Sequence, residues 1–278
     1  MSFRLSGVMG WPIGHSRSPA LHGHWLKRHG IAGAYVPLAV PPDRLEQALR
    51  ALPALGFAGC NVTVPHKEAT FRLVDHVDRA AARLGAVNTV VVRADGTLEG
   101  RNTDGEGFQR HLEACAPHWR AAGRPVLVLG AGGAGRAIAG TLADMGVSEI
   151  RIANRTDARA EHLAAEFGRP LTAWPWAHRT EGLADCSLVV NTTQLGMTGW
   201  PALELPLDRL PPDAVVNDIV YTPLETDLLA EARRRGHVAV DGLGMLLHQA
   251  RAGFAAWFGI EPQVDEALRR AVLGETPP

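Results

Sequence analysis

Midway along the chain an apolar run, Val126-Leu127-Val128-Leu129, leads into Gly130-Ala131-Gly132-Gly133-Ala134-Gly135, and a helix-forming stretch, Arg136–Met145, follows. A strand that turns on glycines into a helix restricts this region to a βαβ unit. The spacing G-x-G-x-x-G lets the backbone approach a pyrophosphate, while the helix N-terminus supplies free N–H groups and the positive end of its dipole. Its position constrains the chain as much as the pattern does. A dinucleotide-binding domain that starts near residue 105 leaves a domain's length of chain in front of it, where a substrate is expected to be held.

At 278 residues the chain has room for about two domains. A formal charge of −1 and a pI near 6.9 provide no field for nucleic acid or an anionic membrane, so neither is expected as a partner. No apolar run approaches the length of a membrane span, and Met1–Gly10 lacks the charged-then-apolar layout of a secretory signal. Cys60, Cys115 and Cys186 are far apart and odd in number, which suits reduced thiols in a cytoplasmic protein. His22, His24 and His29 invite a metal reading, but residues two apart on a helix face different ways, so solvated histidines and no metal are expected. Of the 28 basic residues only Lys27 and Lys67 are lysines. A lysine inside a motif therefore stands out, because arginine does not give up its proton.

Strand and helix signals alternate from the start. Strands are predicted at Phe3–Met9, Ala34–Ala39 and Gly59–Thr63, with helices from Ser18 to Gly30, over Pro42–Ala54, Lys67–Leu73 and Asp78–Leu84. Ser18 reads as an N-cap, with Pro19 in the first turn. Val87–Arg93 and Thr97–Gly100 flank Asp95-Gly96, a hairpin signal. A helix is predicted from Asp104 to about Ala116. Beyond the glycine unit, strands at Glu149–Ala153, Ser187–Asn191, Ala214–Ile219 and His237–Val240, with helices between them, complete a doubly wound fold. Gly242–Phe258 and Pro262–Leu273 read as closing helices. The fold class is α/β: a mostly parallel first domain and a Rossmann-type second one.

The slot after the second strand of the glycine unit narrows the cofactor. An acidic residue there would hold a ribose 2′-hydroxyl, but the chain has Asn154-Arg155-Thr156. Arg155 offers a planar fork for a 2′-phosphate, and Arg159, one turn on, could close the other side. NADP(H) is therefore expected, with Asp157 the one feature against it. In the first domain, Asn61-Val62-Thr63-Val64-Pro65-His66-Lys67 falls at the C-terminal end of a strand, where ligands bind in open α/β sheets. Lys67 opens a helix, where a cation is electrostatically misplaced; taken alone it could equally be an exposed partner of Glu68. Asn102-Thr103-Asp104-Gly105 gives a carboxylate that is either functional or a helix cap. Ser16 and Ser18 within Gly14–Pro19 suit a small anion, and Gly85-Ala86-Val87-Asn88-Thr89 adds a polar pair.

Taken together, these motifs resemble the shikimate dehydrogenases, NADP-dependent enzymes of aromatic amino-acid biosynthesis. The likeness runs from Ser16–Pro19 through residues 61–67, 85–89, 102–105, 130–134 and 154–156 to Asp241-Gly242-Leu243-Gly244-Met245-Leu246, nearly the whole chain. The resemblance implies reversible reduction of 3-dehydroshikimate to shikimate. It implies that Ser16 and Ser18 bind the substrate carboxylate, that Thr63, Asn88, Asp104 and Gln249 hold hydroxyls, and that Tyr221 touches the substrate. Lys67 would be the acid/base, working with Asp104. Gly130, Ala131, Gly132, Gly133 and Ala134 would hold the pyrophosphate, Asn154, Arg155, Thr156 and Arg159 the adenosine phosphate, and Ile219, Gly242 and Met245 the nicotinamide. It also implies that residues 1–103 form the substrate domain, completed by helices over 242–278, and that 104–241 form the NADP domain; a homodimer is allowed. A quinate/shikimate dehydrogenase with looser cofactor choice, and a non-catalytic NADP-binding sensor, stay open as alternatives.

Overall fold

Alternation of β-branched runs with helix-forming stretches produces two separate sheets. The computed structural model describes residues 3–121 and 123–275. The chain divides into two compact units, one of residues up to Thr103 together with those from Leu247 onward, the other Asp104–Leu246.

The first unit contains β1 (Arg4–Gly10), α1 (Ser18–Arg28), β2 (Gly33–Ala39), α2 (Leu45–Ala51), β3 (Phe57–Val62), α3 (Lys67–Leu73), β4 (His76–Val77), α4 (Arg79–Leu84), β5 (Thr89–Val92) and β6 (Leu98–Arg101). Its sheet runs β2-β1-β3-β5-β6-β4. β1 pairs parallel with β2 and β3, whereas β5 is antiparallel to β3 and to β6. The two-residue β4 has no periodic signal and was not predicted. The helix predicted over Pro42–Ala54 starts as a 3-10 turn, Pro42–Arg44, and α2 ends at Ala51. Ser18 is the first helical residue of α1 rather than its cap; Arg17 occupies the cap position without a side-chain bond.

The second unit contains α5 (Asp104–Cys115), β7 (Val126–Leu129), α6 (Gly133–Asp144), β8 (Ile150–Ala153), α7 (Asp157–Phe167), β9 (Leu171–Trp174), β10 (Leu188–Asn191), β11 (Val215–Asp218), α8 (Asp227–Arg234) and β12 (Val238–Val240). All six strands are parallel, in the order β12-β11-β10-β7-β8-β9. This is the doubly wound arrangement, with its switch point between β7 and β10. β7, β8, β10 and β11 are buried throughout, as parallel strands covered on both faces must be. The edge strand β9 was missed because half of it faces solvent. The helix expected between β10 and β11 is absent. Pro201, Pro206, Pro211 and Pro212 remove the amide donors that a helix needs there. Instead Leu203, Leu205, Leu207 and Leu210 cover that face of the sheet from irregular chain.

Two helices close the chain, α9 (Gly242–Phe258) and α10 (Glu266–Leu273). From Leu247 on they belong to the first unit. The Trp257 indole N–H donates to the Val90 carbonyl at 3.0 Å and the Trp25 indole N–H to that of Gln263 at 3.1 Å. α10 starts at Glu266, not Pro262, because Asp265 caps it by accepting from the Leu268 amide at 3.0 Å. His22 is fully buried on α1 among Trp25, Tyr35, Phe254 and Trp257, which corrects the expectation of a solvated histidine. Burial pushes its pKa down to about 3, so it is a neutral core residue.

Candidate active site

In the first unit, the loops after β1 and β3 are laced together by their backbones. The Thr63 amide donates to Met9 O at 2.9 Å and the Trp11 amide to Val64 O at 3.2 Å. This brings the serine segment and the Thr63–Lys67 segment to the same edge of the sheet, the C-terminal ends of two parallel strands. Ser16 Oγ accepts from the Ser18 amide at 3.3 Å, so the two hydroxyl-bearing residues are neighbours at the start of α1. Ser18 is buried and Ser16 half-buried. His66 is buried and its Nε2 is 2.8 Å from Val40 O, which anchors the turn before Lys67. The Lys67 carbonyl accepts from the Val87 amide at 3.0 Å, tying the first turn of α3 to the segment just before β5 that carries Asn88.

Asn88 is the centre of a buried polar cluster. Its Oδ1 accepts from the Thr103 amide at 3.0 Å and from Thr89 Oγ1 at 3.0 Å, while its Nδ2 donates to Thr103 Oγ1 at 3.0 Å and to Gln249 Oε1 at 2.9 Å. The amide is thus fixed in orientation, and Gln249, distant in sequence, is drawn to it. Asp104 follows Thr103 directly and opens α5 with only 3% of its surface exposed. It is the first helical residue rather than the cap expected from sequence.

In the second unit the glycine turn has the geometry of a phosphate cradle. Gly130 adopts φ +107°, and a Cβ there would come 2.5 Å from the Thr192 hydroxyl oxygen. A Cβ on Gly135 would lie 2.1 Å from Gly130 O, so strand and helix approach too closely for any side chain. Gly132 and Gly133, by contrast, have nothing within 4 Å of that position. The open side of the turn is where α6 begins, and the first amides of a helix are donors suited to a phosphate group. Asn154 Oδ1 accepts from the Ala131 amide at 3.1 Å, and its Nδ2 donates to Thr156 O at 2.9 Å. Asn154 thereby joins the glycine turn to the segment bearing Arg155 and Arg159. Both arginines are exposed, and neither side chain makes a hydrogen bond or ion pair among the described residues. The Asp157 carboxylate accepts from the Trp176 amide at 3.0 Å. Its role at the head of α7 is structural. The residues at the end of β8 therefore fit a 2′-phosphate.

At the ends of β10 and β11, Thr192 Oγ1 donates to Leu129 O at 2.7 Å, and Asn191 Oδ1 accepts from Thr193 Oγ1 at 2.7 Å. Asp218, which the sequence reading passed over, is completely buried. It accepts from the Val220 amide at 3.0 Å, Asn191 Nδ2 at 3.0 Å and Thr226 Oγ1 at 2.7 Å. A carboxylate closing an otherwise apolar strand was the available signal. Burial outweighs these bonds and raises its pKa to about 6. The bonds fix the turn Ile219-Val220-Tyr221. A Cβ on Gly242 would meet Ile219 O at 2.1 Å, and Ile219 and Met245 pack into one apolar cluster. Ile219, Gly242 and Met245 thus share one wall. Among the described residues no group of three or more His, Cys, Asp or Glu side chains is arranged to hold a metal.

The shikimate dehydrogenase substrate-binding domain family matches residues 8–90, the shikimate/quinate 5-dehydrogenase family residues 114–196, and the shikimate 5′-dehydrogenase C-terminal domain residues 242–273. The NADP-dependent shikimate dehydrogenase of Paramagnetospirillum magneticum is 62% identical over 270 residues, covering 97% of this chain and 98% of its own. The chain belongs to the shikimate dehydrogenase family. Among solved structures, the shikimate 5-dehydrogenase of Thermus thermophilus in complex with NADP(H) and shikimate is 39% identical with a TM-score of 0.86, covering 96% of this chain and 99% of that one. A quinate dehydrogenase of Corynebacterium glutamicum in complex with NAD is 34% identical with a TM-score of 0.90, covering 98% and 100%. Family membership agrees with both sheet topologies.

Proposed function

We propose that this chain catalyses the reversible NADPH-dependent reduction of 3-dehydroshikimate to shikimate. The observation that carries this reading is the 62% identity to an NADP-dependent shikimate dehydrogenase, spread over 97% of the chain. Residues 1–103 with the closing helices act as the substrate domain and 104–241 as the NADP domain. Cys60, Cys115 and Cys186 form no disulfide, which suits work in the reducing cytoplasm.

Gly130, Ala131, Gly132, Gly133 and Ala134 would hold the pyrophosphate at the start of α6. Asn154, Arg155, Thr156 and Arg159 would take the 2′-phosphate, and Ile219, Gly242 and Met245 the nicotinamide. The bound dinucleotide supplies or accepts the hydride. The protein's own residues do the rest. Ser16 and Ser18 bind the substrate carboxylate by donating hydroxyl hydrogens. Thr63, Asn88, Asp104 and Gln249 hold the ring hydroxyls, and Tyr221 contacts the ring. The Asn88 amide is already committed in orientation, so little ordering remains for the substrate to impose. A site built of fixed polar partners rejects analogues that leave one unpaired. Lys67 donates a proton to the oxygen on which negative charge develops, and stabilises that charge as it does so. Asp104 is the second catalytic group, accepting a substrate hydroxyl.

Lys67→Ala and Lys67→Arg test the proton transfer. General acid–base catalysis contributes about 10²–10⁴-fold, so both variants should lose kcat in that range or beyond with little change in KM. Arginine retains the charge but is too weak an acid to give up its proton. A Lys67→Arg enzyme within a few-fold of the parent would leave Lys67 only an electrostatic role.

A further inference from the structure

We propose that Asp218 is a positioning residue for hydride transfer: its carboxylate, tied to Asn191, fixes the turn Ile219-Val220-Tyr221, which carries both a nicotinamide residue and a substrate residue. The proposal rests on the assignment of Ile219 to the nicotinamide and of Tyr221 to the substrate. Asp218 ends β11 and Asn191 ends β10, and the two are register partners in the parallel sheet. Both are completely buried. A carboxylate taken out of water costs stability unless donors meet it. Here three do, and they take different oxygens. Oδ1 accepts from the Val220 amide and from Asn191 Nδ2, each at 3.0 Å. Oδ2 accepts from Thr226 Oγ1 at 2.7 Å, and Thr226 is itself the N-cap of α8. The carboxyl plane is therefore held at both oxygens. Burial still pushes its pKa up to about 6, so the charge is unfavourable at this place and what the fold gains is a fixed acceptor.

The turn is specified from several sides. The Ile219 amide donates to Asn191 O at 3.1 Å, and Thr222 O accepts from the Thr198 amide at 2.9 Å. A Cβ on Gly242 would lie 2.1 Å from Ile219 O and 2.6 Å from Val220 O, so the start of α9 presses on both carbonyls. The Val220 amide, which lies between those carbonyls in the chain, is the group that Asp218 holds. Asn191 extends the frame beyond β10. Its Oδ1 accepts from the Thr193 amide at 3.0 Å, and its Nδ2 also donates to Leu195 O at 3.1 Å. Val220 is buried, so an amide deprived of Asp218 finds no water in exchange. The peptide would turn toward another acceptor, and Ile219 and Tyr221 would move with it. Displacing a reacting group by about 1 Å costs roughly a hundredfold in rate. Asp218 needs no contact with either reactant to exert that effect.

Asp218→Ala removes the acceptor. At saturating shikimate and NADP, its single-turnover rate of NADPH formation should fall at least about tenfold. The NADP KM should stay within about threefold, because the glycine turn and Arg155 are untouched. In the enzyme without ligands, exchange of the Val220 amide hydrogen, followed by NMR, should be at least about tenfold faster than in the parent. Asp218→Asn still offers an oxygen to Val220 and Asn191, with its nitrogen turned to Thr226 Oγ1, a hydroxyl that accepts as well as donates. It should recover the single-turnover rate to within about threefold, and the slow exchange with it. Asn191→Ala takes away one of the two donors that orient Oδ1. It should lower the rate at least about threefold, and it carries the test if Asp218→Ala does not fold. A parent-like rate in a folded alanine variant at either position would overturn the proposal. So would unaltered Val220 exchange in Asp218→Ala, or equal losses in Asp218→Ala and Asp218→Asn, which would assign the effect to the charge. A rise in the NADP KM that matches the loss of rate, with a lowered Tm, would make Asp218 structural only. A parent enzyme that does not turn over shikimate with NADP would instead remove the assignments of Ile219 and Tyr221.

Discussion

Removing the Arg155 guanidinium should separate the two dinucleotides. Arg155 is exposed at the end of β8, and no described side-chain partner is lost with it, so Arg155→Ala should leave Tm within a degree or so of the parent. A hydrogen bond to a charged group contributes about 1.5–3 kcal/mol, which at about 1.4 kcal/mol per decade is roughly a tenfold to hundredfold loss. Arg159 stands one turn along α7 and remains, so the loss should fall short of abolishing NADP use. NAD lacks the 2′-phosphate, and its kcat/KM should be nearly unchanged. Because the site is open to solvent, the NADP penalty should shrink as ionic strength rises and the Debye length falls from about 10 Å at 0.1 M. The assay is kcat/KM for each dinucleotide at two salt concentrations. Equal losses with NADP and NAD would show that Arg155 shapes the loop rather than reads the phosphate, and the account of cofactor choice would fail.

The glycine turn gives two contrasting substitutions. Gly135→Ala places a Cβ 2.1 Å from Gly130 O and should lower Tm as well as NADP affinity. Gly132→Ala meets open space and should leave Tm alone while raising the NADP KM; if it too unfolds the protein, the open face is not where the pyrophosphate lies. Asp218 should make stability depend on pH. Its folded pKa of about 6 is above the ordinary carboxylate value, so its contribution is fully present below about pH 4 and lost as pH rises through about 6. Asp218→Asn should therefore gain on the parent by roughly 1–3 kcal/mol between about pH 4 and 7 in denaturant unfolding. A difference between the two that stays flat with pH would assign the titration to another group.

The chemistry-bearing motifs were legible because each sits in a short stretch of chain whose spacing carries its own meaning. Gly130–Gly135 and the Asn154–Thr156 slot without a carboxylate are local patterns whose backbones adopt the geometry implied, whereas at Ser16–Pro19 the helix starts one residue earlier than the pattern implies, with Arg17 at the cap position. What sequence left hidden was long-range. His22 read as a solvated helix residue because nothing near it in sequence announces that Tyr35, Phe254 and Trp257 close over it. Asp218 gains its meaning from a partner on the neighbouring strand, Asn191, which no window along one strand contains. The helix wrongly expected between β10 and β11 came from fold regularity overriding local evidence. Four prolines in that stretch already forbade it. The strands β4 and β9 escaped because short or half-exposed edge strands carry too little periodicity to read.

Initial rates of reduced-dinucleotide formation test most directly whether this enzyme pairs NADP with shikimate. Shikimate and quinate would each be supplied with NADP and with NAD, and kcat/KM measured for the four pairs. Turnover is expected with shikimate and NADP, with a loss of at least about tenfold when NAD replaces NADP. Quinate lacks the ring double bond and carries an extra hydroxyl on the carbon that bears the carboxylate, a group to which no residue is assigned, and should be the poorer substrate with either dinucleotide. Quinate oxidised with NAD as efficiently as shikimate with NADP, or NADP bound with no turnover of shikimate, would contradict that pairing.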